Sequence, residues 1–291
     1  MIAGHGHVPP GAAGAALPAG TAGPQRHAAD LAGTDGHGSS ARQQGMADLH
    51  LHSVWSDGLA SASEIMEYAQ EQTALDIIAI ADHDQVGGAL EAVAWCTRHP
   101  AARVRAIVAT EISTAWGRHL LALFFQPPFP RRPFPRFRPV AETVALVHAA
   151  GGIVVVPHPL SLLVPSLGRR TLTRLLGAQV PVEALEVCSG AIGGRRKEPL
   201  VRALNAAAWH LAPLGSSDAH HLAQIGSAYT SFPGRSPADL QRAILARATG
   251  AHWGPAARVP LAAHAYQSWR SLVVKPAREL WQALAARPEA G

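Results

Sequence analysis

The stretch Asp48-Leu49-His50-Leu51-His52-Ser53 contains the pattern that decides the fold. Alternate residues of a β-strand point to the same side of a sheet, so His50 and His52 would share one face. Asp48 has the same parity and would orient a ligand histidine by hydrogen bonding to its ring. The tight turn Ser56-Asp57-Gly58 follows and would return a carboxylate to the same place. Imidazole and carboxylate groups held together suit zinc, manganese or iron.

Short apolar runs alternate with longer amphipathic runs along the rest of the chain. This strand-then-helix rhythm indicates a parallel sheet, and seven repeats at this spacing favour a closed or nearly closed α/β barrel. The predicted strands are 47–51, 76–81, 104–110, 119–125, 152–157, 184–188 and 212–216. The predicted helices run from a cap at Ser61 or Ser63 to about 73, and over 87–98, 140–150, 169–177, 196–209 and 237–248.

Further histidines and carboxylates fall near the ends of these predicted strands. His83 follows the second strand, Glu111 ends the third and His158 ends the fifth. Because the carboxyl ends of the parallel strands of a barrel meet on one face, these side chains would converge there. His119 is an exception, since it stands at the start of the fourth predicted strand. The candidate metal ligands are His50, His52, Asp57, His83, Glu111, His119, His158, Asp218 and His220.

The order of these motifs resembles the PHP superfamily, named for polymerase and histidinol phosphatase, and most of all its stand-alone metal-dependent phosphoesterases. The resemblance covers about 48–220 and implies a distorted (β/α)7 barrel, similar to a TIM barrel, with the ligands at the carboxyl ends of the strands. The motifs are His-x-His at 50–52, Ser-Asp-Gly at 56–58, Asp-His-Asp at 82–84, Thr-Glu-Ile at 110–112, Pro-His-Pro at 157–159 and Ser-Asp-Ala-His at 217–220.

The resemblance also implies a centre of two or three divalent ions, drawn from Mn, Zn and Fe. All nine family positions are filled in this chain, and Glu111 would bridge two of the ions. The implied sets are His50, His52, Glu111 and Asp218 for the first ion, Glu111, His119 and His158 for the second, and Asp57, His83 and His220 for the third.

Clustered divalent ions suit hydrolysis of phosphate esters, because they neutralise phosphate oxygens and lower the pKa of bound water. The predicted activity is therefore that of a phosphoric ester hydrolase, acting on a small phosphate monoester or a nucleotide through a metal-bridging hydroxide. Asp84 is a candidate general acid, or else it caps the helix that begins near Val86. Arg195, Arg196 and Lys197 would bind a second phosphate or a carboxylate of the substrate, or else form a solvated helix start.

Other functions remain open from the sequence. A 5′-3′ exonuclease acting on short RNA or DNA would use the same centre, and Arg and Phe alternate in the proline-rich segment 127–139, which would clamp a base or pack on the barrel. The scarcity of lysine favours the small substrate.

A non-catalytic PHP interaction module is the second alternative, although no ligand is missing. An amidohydrolase-type barrel is disfavoured, because Lys197 and Lys275 are poorly placed for a bridging carboxylated lysine.

Composition divides the chain into three predicted parts. Residues 1–45 are rich in Ala, Gly, Pro and His and would be a disordered tail, dispensable or upstream of a true start at Met46. Residues 46–263 would form the barrel domain, and 264–291 a C-terminal helix packed on it or making a dimer contact. The oligomeric state is not predicted.

Charge and cysteine content bear on surroundings and partners. The net charge of +5 would favour anionic substrates, or else reflects a solvated arginine surface. The two cysteines fit a reducing cytosol, and no apolar run reaches the length of a membrane span. A cytoplasmic protein with no membrane partner is therefore expected.

Overall fold

Nine strands form one sheet in the computed structural model, which describes residues 44–257, 259, 261–274 and 277. The strands are β1 (Gln44–Leu51), β2 (Ile77–Ile80), β3 (Arg105–Ser113), β4 (His119–Phe124), β5 (Ile153–Val156), β6 (Ala184–Ser189), β7 (Ala212–Ser216), β8 (Ala228–Pro233) and β9 (Gly250–Trp253). Their order in the sheet is β7-β6-β5-β4-β3-β2-β1-β8-β9. The α-helices are α1 (Ala62–Gln72), α2 (Gly87–Arg98), α3 (Val140–Ala149), α4 (Arg169–Gly177), α5 (Gly194–Leu204), α6 (Pro237–Leu245) and α7 (Leu261–Trp269).

The two ends of β1 have different neighbours, and this nearly closes the sheet into a barrel. At the carboxyl end, Ala219 beyond β7 bridges Leu51 in parallel, and its carbonyl accepts a 2.8 Å hydrogen bond from the backbone N–H of His52. At the other end, 44–47 pairs antiparallel with β8. The predicted barrel is confirmed, with β8 and β9 added. These two strands mix polar and apolar residues and lie outside the predicted runs.

β4 runs antiparallel to both β3 and β5, so the prediction of a uniformly parallel barrel is wrong at this strand. Only the residues 114–118 join β3 to β4, and a parallel crossover needs a dozen or more. The start of β4 therefore lies at the carboxyl ends of its neighbours. His119 pairs with Ser113, and its apparent exception to the ligand pattern disappears.

A β-bulge in β1 changes which side chains face the inside of the barrel. Asp48 pairs with Ile78 and Leu51 with Ile80, so β1 contains one extra residue between these pairs. Leu49 accordingly packs in the inner cluster with Ala47, whereas Leu51 packs against α1 and α2. His50 and His52 therefore face inward together, as predicted, but Asp48 does not share their side.

Helix boundaries follow local capping signals. α2 and α4 have the predicted bounds, and Ser61 is the cap of α1. The backbone N–H of Ser61 donates to Glu64 Oε2 at 2.8 Å, and the N–H of Glu64 donates to Ser61 Oγ at 3.3 Å, which completes a capping box. The predicted helix 196–209 is α5 followed by a π-helical turn, Asn205–Trp209.

The chain ends are described in part. Residues 1–43 of the predicted tail lie outside the described residues, and Gln44 and Gly45 belong to β1. Of the predicted C-terminal helix, the structure describes α7 and a π-helical turn, Arg270–Val274, and residues 278–291 lie outside. Within the described part of the chain, no helix has the length and apolarity needed to cross a membrane.

An apolar floor fills the barrel below the carboxyl ends of the strands. Its residues come from alternate positions of neighbouring strands, and they are almost completely buried. It includes Ala47, Leu49, Ile77, Ala79, Ile107, Ala109, Leu121, Leu123, Val155, Ala184, Ala212 and Leu214.

Leu49→Ala should destabilise the protein by about 2–5 kcal/mol, because it leaves a cavity in this floor. The side chain of Leu49 is fully buried. Urea unfolding followed by circular dichroism measures the change. Leu245→Ala is the matched control, since the Leu245 side chain is 59 % exposed and should change the free energy of unfolding little. Equal effects of the two substitutions would contradict the assignment of the floor.

Candidate metal centre

The carboxylate of Glu111 lies at the middle of the predicted ligands. Its Oε1 is 2.8 Å from His119 Nδ1 and 2.9 Å from His158 Nε2. Its Oε2 is 3.1 Å from His83 Nδ1 and 3.2 Å from His50 Nε2. One carboxylate thus brings together residues from the ends of β1, β2, β3, β5 and the start of β4.

Asp218, which follows β7, lies close to His50 and to a second candidate ligand, His52. Its Oδ1 lies 3.1 Å from His52 Nε2 and 3.6 Å from His50 Nε2. The two Nε2 atoms of the histidines are themselves 3.1 Å apart. These three side chains therefore present their ligand atoms to one small volume.

Asp57 forms a third grouping with His52, His83 and His220. Its Oδ1 lies 3.4 Å from His220 Nε2 and 3.8 Å from His52 Nδ1, and its Oδ2 lies 3.8 Å from His83 Nε2. The rings of His52 and His220 stack with centroids 4.2 Å apart. All nine predicted ligands thus converge on one face of the barrel.

The donor set fits divalent metal ions better than a hydrogen-bond network. His119 Nδ1 lies 2.8 Å from Glu111 Oε1 and Asp57 Oδ1 lies 3.4 Å from His220 Nε2, yet neither of these buried atoms makes a hydrogen bond. Two ligands of one tetrahedral zinc lie roughly 3.3 Å apart, given bonds of about 2.0–2.1 Å. The ligand atoms described above have similar spacings. They form overlapping groups of three or four atoms that lie within 4.8 Å of one another.

The histidines also control the charge of the carboxylates. Burial opposes ionisation of Glu111, but the neighbouring His119, His83 and His50 outweigh it and hold its pKa well below the ordinary value. Burial likewise lowers the pKa of His220, yet the Asp57 carboxylate outweighs it and raises that pKa to about 9. Glu111 therefore stays negative, as a metal-ligating carboxylate must be, whereas an ion bound at Asp57 and His220 would have to displace the His220 proton.

Glu186 on β6 holds the ring of one candidate ligand, His50, and the backbone of another, His158, and it was not among the predicted site residues. His50 Nδ1 donates to Glu186 Oε1 at 2.8 Å, and the backbone N–H of His158 donates to Oε2 at 2.7 Å. The first bond leaves His50 Nε2 for an ion and fixes the ring. A lone carboxylate within the buried run Ala184–Ser189 is the sequence signal that could have identified it.

Asp48 does not orient a ligand histidine, so that prediction is wrong. The bulge in β1 places its carboxylate on the other side of the strand. There it accepts hydrogen bonds from the backbone N–H groups of Ser217 and Gly226, at 2.9 and 2.8 Å. Asp48 therefore anchors the loop that carries Asp218, and burial raises its pKa to about 6 despite these donors.

The turn at Asp57 is as tight as predicted. A Cβ at Gly58 would meet the carbonyl oxygen of His52 at 2.0 Å, so only glycine fits there. The Asp82 carboxylate fastens the turn, because it accepts bonds of 2.6 Å from both Ser53 Oγ and Ser56 Oγ. Asp57 is thereby returned to the centre.

Asp84 does not cap α2, so that alternative is wrong. Helix α2 begins after Val86 without a side-chain cap. The Asp84 carboxylate instead accepts hydrogen bonds from the backbone N–H and the hydroxyl of Ser113, at 2.7 and 2.8 Å, and lies 3.7 Å from Arg136 Nε. Asp84 fixes the end of β3 beside Glu111.

The predicted phosphate-binding residues on α5 separate in space. The guanidinium of Arg195 lies over the ring of Trp253 on β9, 4.1 Å from the ring centroid, in a cation–π contact. Lys197 lines a cleft together with His158 and Glu186, which places it at the border of the centre. The structure assigns no partner in the centre to Arg196.

The proline-rich segment 127–139 packs on the barrel, which is one of its two predicted roles. Phe134 stacks on Phe124 of the barrel, with ring centroids 5.9 Å apart. Farther along, Arg136 reaches Asp84, and Phe137 remains 59 % exposed. Part of the segment packs on the barrel while part borders the centre.

Comparison with known proteins agrees with these features. Residues 203–249, which include Asp218 and His220, match the model of a family described as PHP-associated. The chain is 38 % identical over 72 residues to a 3′,5′-nucleoside bisphosphate phosphatase from Chromobacterium violaceum. It is 34 % identical over 87 residues to a 5′-3′ exoribonuclease from Haemophilus influenzae. These matches cover 25 % and 29 % of this chain, and only 24 % and 30 % of those relatives.

A solved structure shares the fold. It is a two-domain protein from Bacteroides vulgatus that contains a predicted PHP-like metal-dependent phosphoesterase, with a TM-score of 0.58 and 19 % identity. The superposition covers 78 % of this chain and 70 % of that one. The resemblance inferred from the motifs is thereby confirmed, and the chain is similar to PHP-superfamily proteins in its PHP-associated segment and in its fold.

Proposed function

We propose that this protein is a metal-dependent phosphoesterase that hydrolyses a small phosphate monoester or a nucleotide. The observation that carries the proposal is the convergence of nine histidine and carboxylate side chains, Glu111 among them, at ion-ligand spacings. The similarity to a nucleoside bisphosphate phosphatase supports the choice of substrate class.

The groups around Glu111, Asp218 and Asp57 would hold two or three divalent ions, with Zn, Mn or Fe favoured by the mixture of imidazole and carboxylate. Bound ions would supply positive charge for the phosphate oxygens and acidify a water for attack on phosphorus. Glu111 can serve two ions, because its two oxygens face different histidines. Glu186 orients His50, which keeps the ligand geometry rigid before substrate arrives.

Side chains at the border of the centre would bind the rest of the substrate. Lys197 lies beside His158 in a cleft, where its ammonium would attract a phosphate. Trp116 is 90 % exposed in the short connection that leads to His119. Phe137, the residue after Arg136, is also exposed. Exposed aromatic faces stack readily on nucleobases, which supports a substrate that carries a base.

A 5′-3′ exonuclease on short RNA or DNA is the second candidate. The similarity to an exoribonuclease and the exposed aromatic rings of Trp116 and Phe137 favour it, because stacking tolerates any base. A non-catalytic module is less well supported, since every predicted ligand lies in the centre. A cytoplasmic location belongs to the same proposal, and Cys96 and Cys188 are both free thiols.

Metal analysis tests the centre itself. Protein stripped with a chelator and then reconstituted with Mn, Zn or Fe should contain more than one ion per chain by mass spectrometry. Phosphatase turnover should disappear on stripping and return on reconstitution. Full turnover by a metal-free sample would refute the proposed chemistry.

His83→Ala should reduce phosphatase turnover beyond the 10–100-fold range that is usual for residues that only orient a ligand. The imidazole of His83 faces both Glu111 and Asp57, so its loss affects two groups of ligands. His252→Ala is the control, because His252 is an exposed histidine that bonds Ser231 on β8. Circular dichroism checks that both variants fold. Undiminished turnover in His83→Ala would remove this residue from the centre.

A substrate comparison separates the two candidate activities. We expect faster phosphate release from a mononucleotide bisphosphate than nucleotide release from a 5′-phosphorylated oligonucleotide, with weak dependence on salt. A nuclease that neutralises several phosphates would instead lose affinity steeply as salt rises. Faster, salt-sensitive cleavage of the oligonucleotide would make the exonuclease the correct assignment.

A further inference from the structure

The C-terminal end of the described chain contacts the metal centre directly. Ser271 Oγ donates a 2.8 Å hydrogen bond to Asp57 Oδ2, and Arg270 donates at 3.4 Å to the carbonyl of Ser56. Two consecutive residues of the π-helical turn that follows α7 thus bind the tight turn that contains Asp57, a predicted ligand. No motif in the sequence indicates this contact, which joins residues 214 positions apart.

The two oxygens of Asp57 have different surroundings. Oδ2 accepts the bond from Ser271, whereas Oδ1 is buried, makes no hydrogen bond and lies 3.4 Å from His220 Nε2. A carboxylate with one oxygen held in this way presents the other in a fixed direction. Oδ1 is therefore the oxygen set up to bind an ion together with His220.

The local geometry of the helix places the Ser271 hydroxyl for this role. The chain is α-helical through Trp269 and widens into a π-helical turn over Arg270–Val274, a feature that often marks functional sites. Gln267 Nε2 donates to Ser271 Oγ at 3.2 Å. The Ser271 hydroxyl has two acceptors within reach, the Asp57 carboxylate at 2.8 Å and the backbone carbonyl of Gln267 at 3.2 Å, and the shorter contact is the one to Asp57.

We propose that Ser271 is a positioning residue for the ion held by Asp57, His83 and His220, and that the C-terminal helix covers this side of the centre. The inference rests on the proposed metal centre. It adds that helix docking and occupancy of this one ion site are coupled. Coupling of two binding events is reciprocal, so the ion must stabilise the docked helix as much as the helix stabilises the ion.

Metal affinity tests the forward direction. In calorimetric titrations of stripped protein, Ser271→Ala should weaken one class of ion by about 10–100-fold and leave the other ions unchanged. Ser271→Thr keeps the hydroxyl and should restore the affinity. Val273→Ala is the control on the same turn, because Val273 is 52 % exposed, and it should bind all ions as the unaltered protein does.

Proteolysis tests the reverse direction without any assay of activity. The bound ion should slow tryptic cleavage of the Arg270–Ser271 bond in the unaltered protein, as followed by mass spectrometry of the fragments. In Ser271→Ala, adding metal should leave that cleavage rate unchanged. Stripped samples of both proteins provide the baseline.

The outcomes separate this inference from the proposed function. If the unaltered protein binds no ions, the metal centre and the role of Ser271 both fall. If it binds ions, and Ser271→Ala binds them equally well with the same protection of the Arg270–Ser271 bond, only the role of Ser271 is overturned. Equal weakening of every ion, or no restoration by Ser271→Thr, would also overturn it.

Discussion

A single buried carboxylate, that of Glu111, organises the face of the barrel on which the proposed chemistry depends. An isolated carboxylate is very costly to bury, so this one persists only because four imidazoles approach its two oxygens within 3.2 Å. The imidazoles come from strands far apart in sequence, and an apolar floor lies below them. Low polarity around the cluster strengthens every electrostatic interaction in it. The strands of the barrel therefore hold four imidazoles in place around the one Glu111 carboxylate.

The convergence of the candidate ligands was predictable from sequence because most of them stand in short motifs at the ends of apolar runs. That relationship needs only strand parity and the convergence of strand ends, and it correctly locates His50, His83 and Glu111. The antiparallel direction of β4 was less accessible, since the hydrophobic pattern of a strand does not encode its direction. The length of the 114–118 connection was the available clue. It excludes the crossover that a parallel neighbour requires.

The residues that support the ligands could not be predicted in the same way. Glu186 acts through hydrogen bonds to His50 and to the backbone of His158, so its role depends on tertiary neighbours and leaves no spacing in the sequence. The contact of Ser271 with Asp57 is of the same kind. The prediction for Asp48 failed for a related reason, because alternate residues share a face only where the strand has no bulge. Local rules thus identify which groups meet, and tertiary contacts decide how firmly they are held.

The bulge in β1 allows one short strand to serve two compartments. Upstream of it, Asp48 anchors the loop before Asp218 from behind the sheet, and downstream of it His50 and His52 face the candidate metal centre. With regular pairing in place of the bulge, strict alternation would put the Asp48 carboxylate on the same side of β1 as His50 and His52. The single extra residue at the bulge therefore lets Asp48 hold a loop on one side of the strand while the imidazoles face the other side. The position of this bulge is therefore as important to the site as the side chains on either side of it.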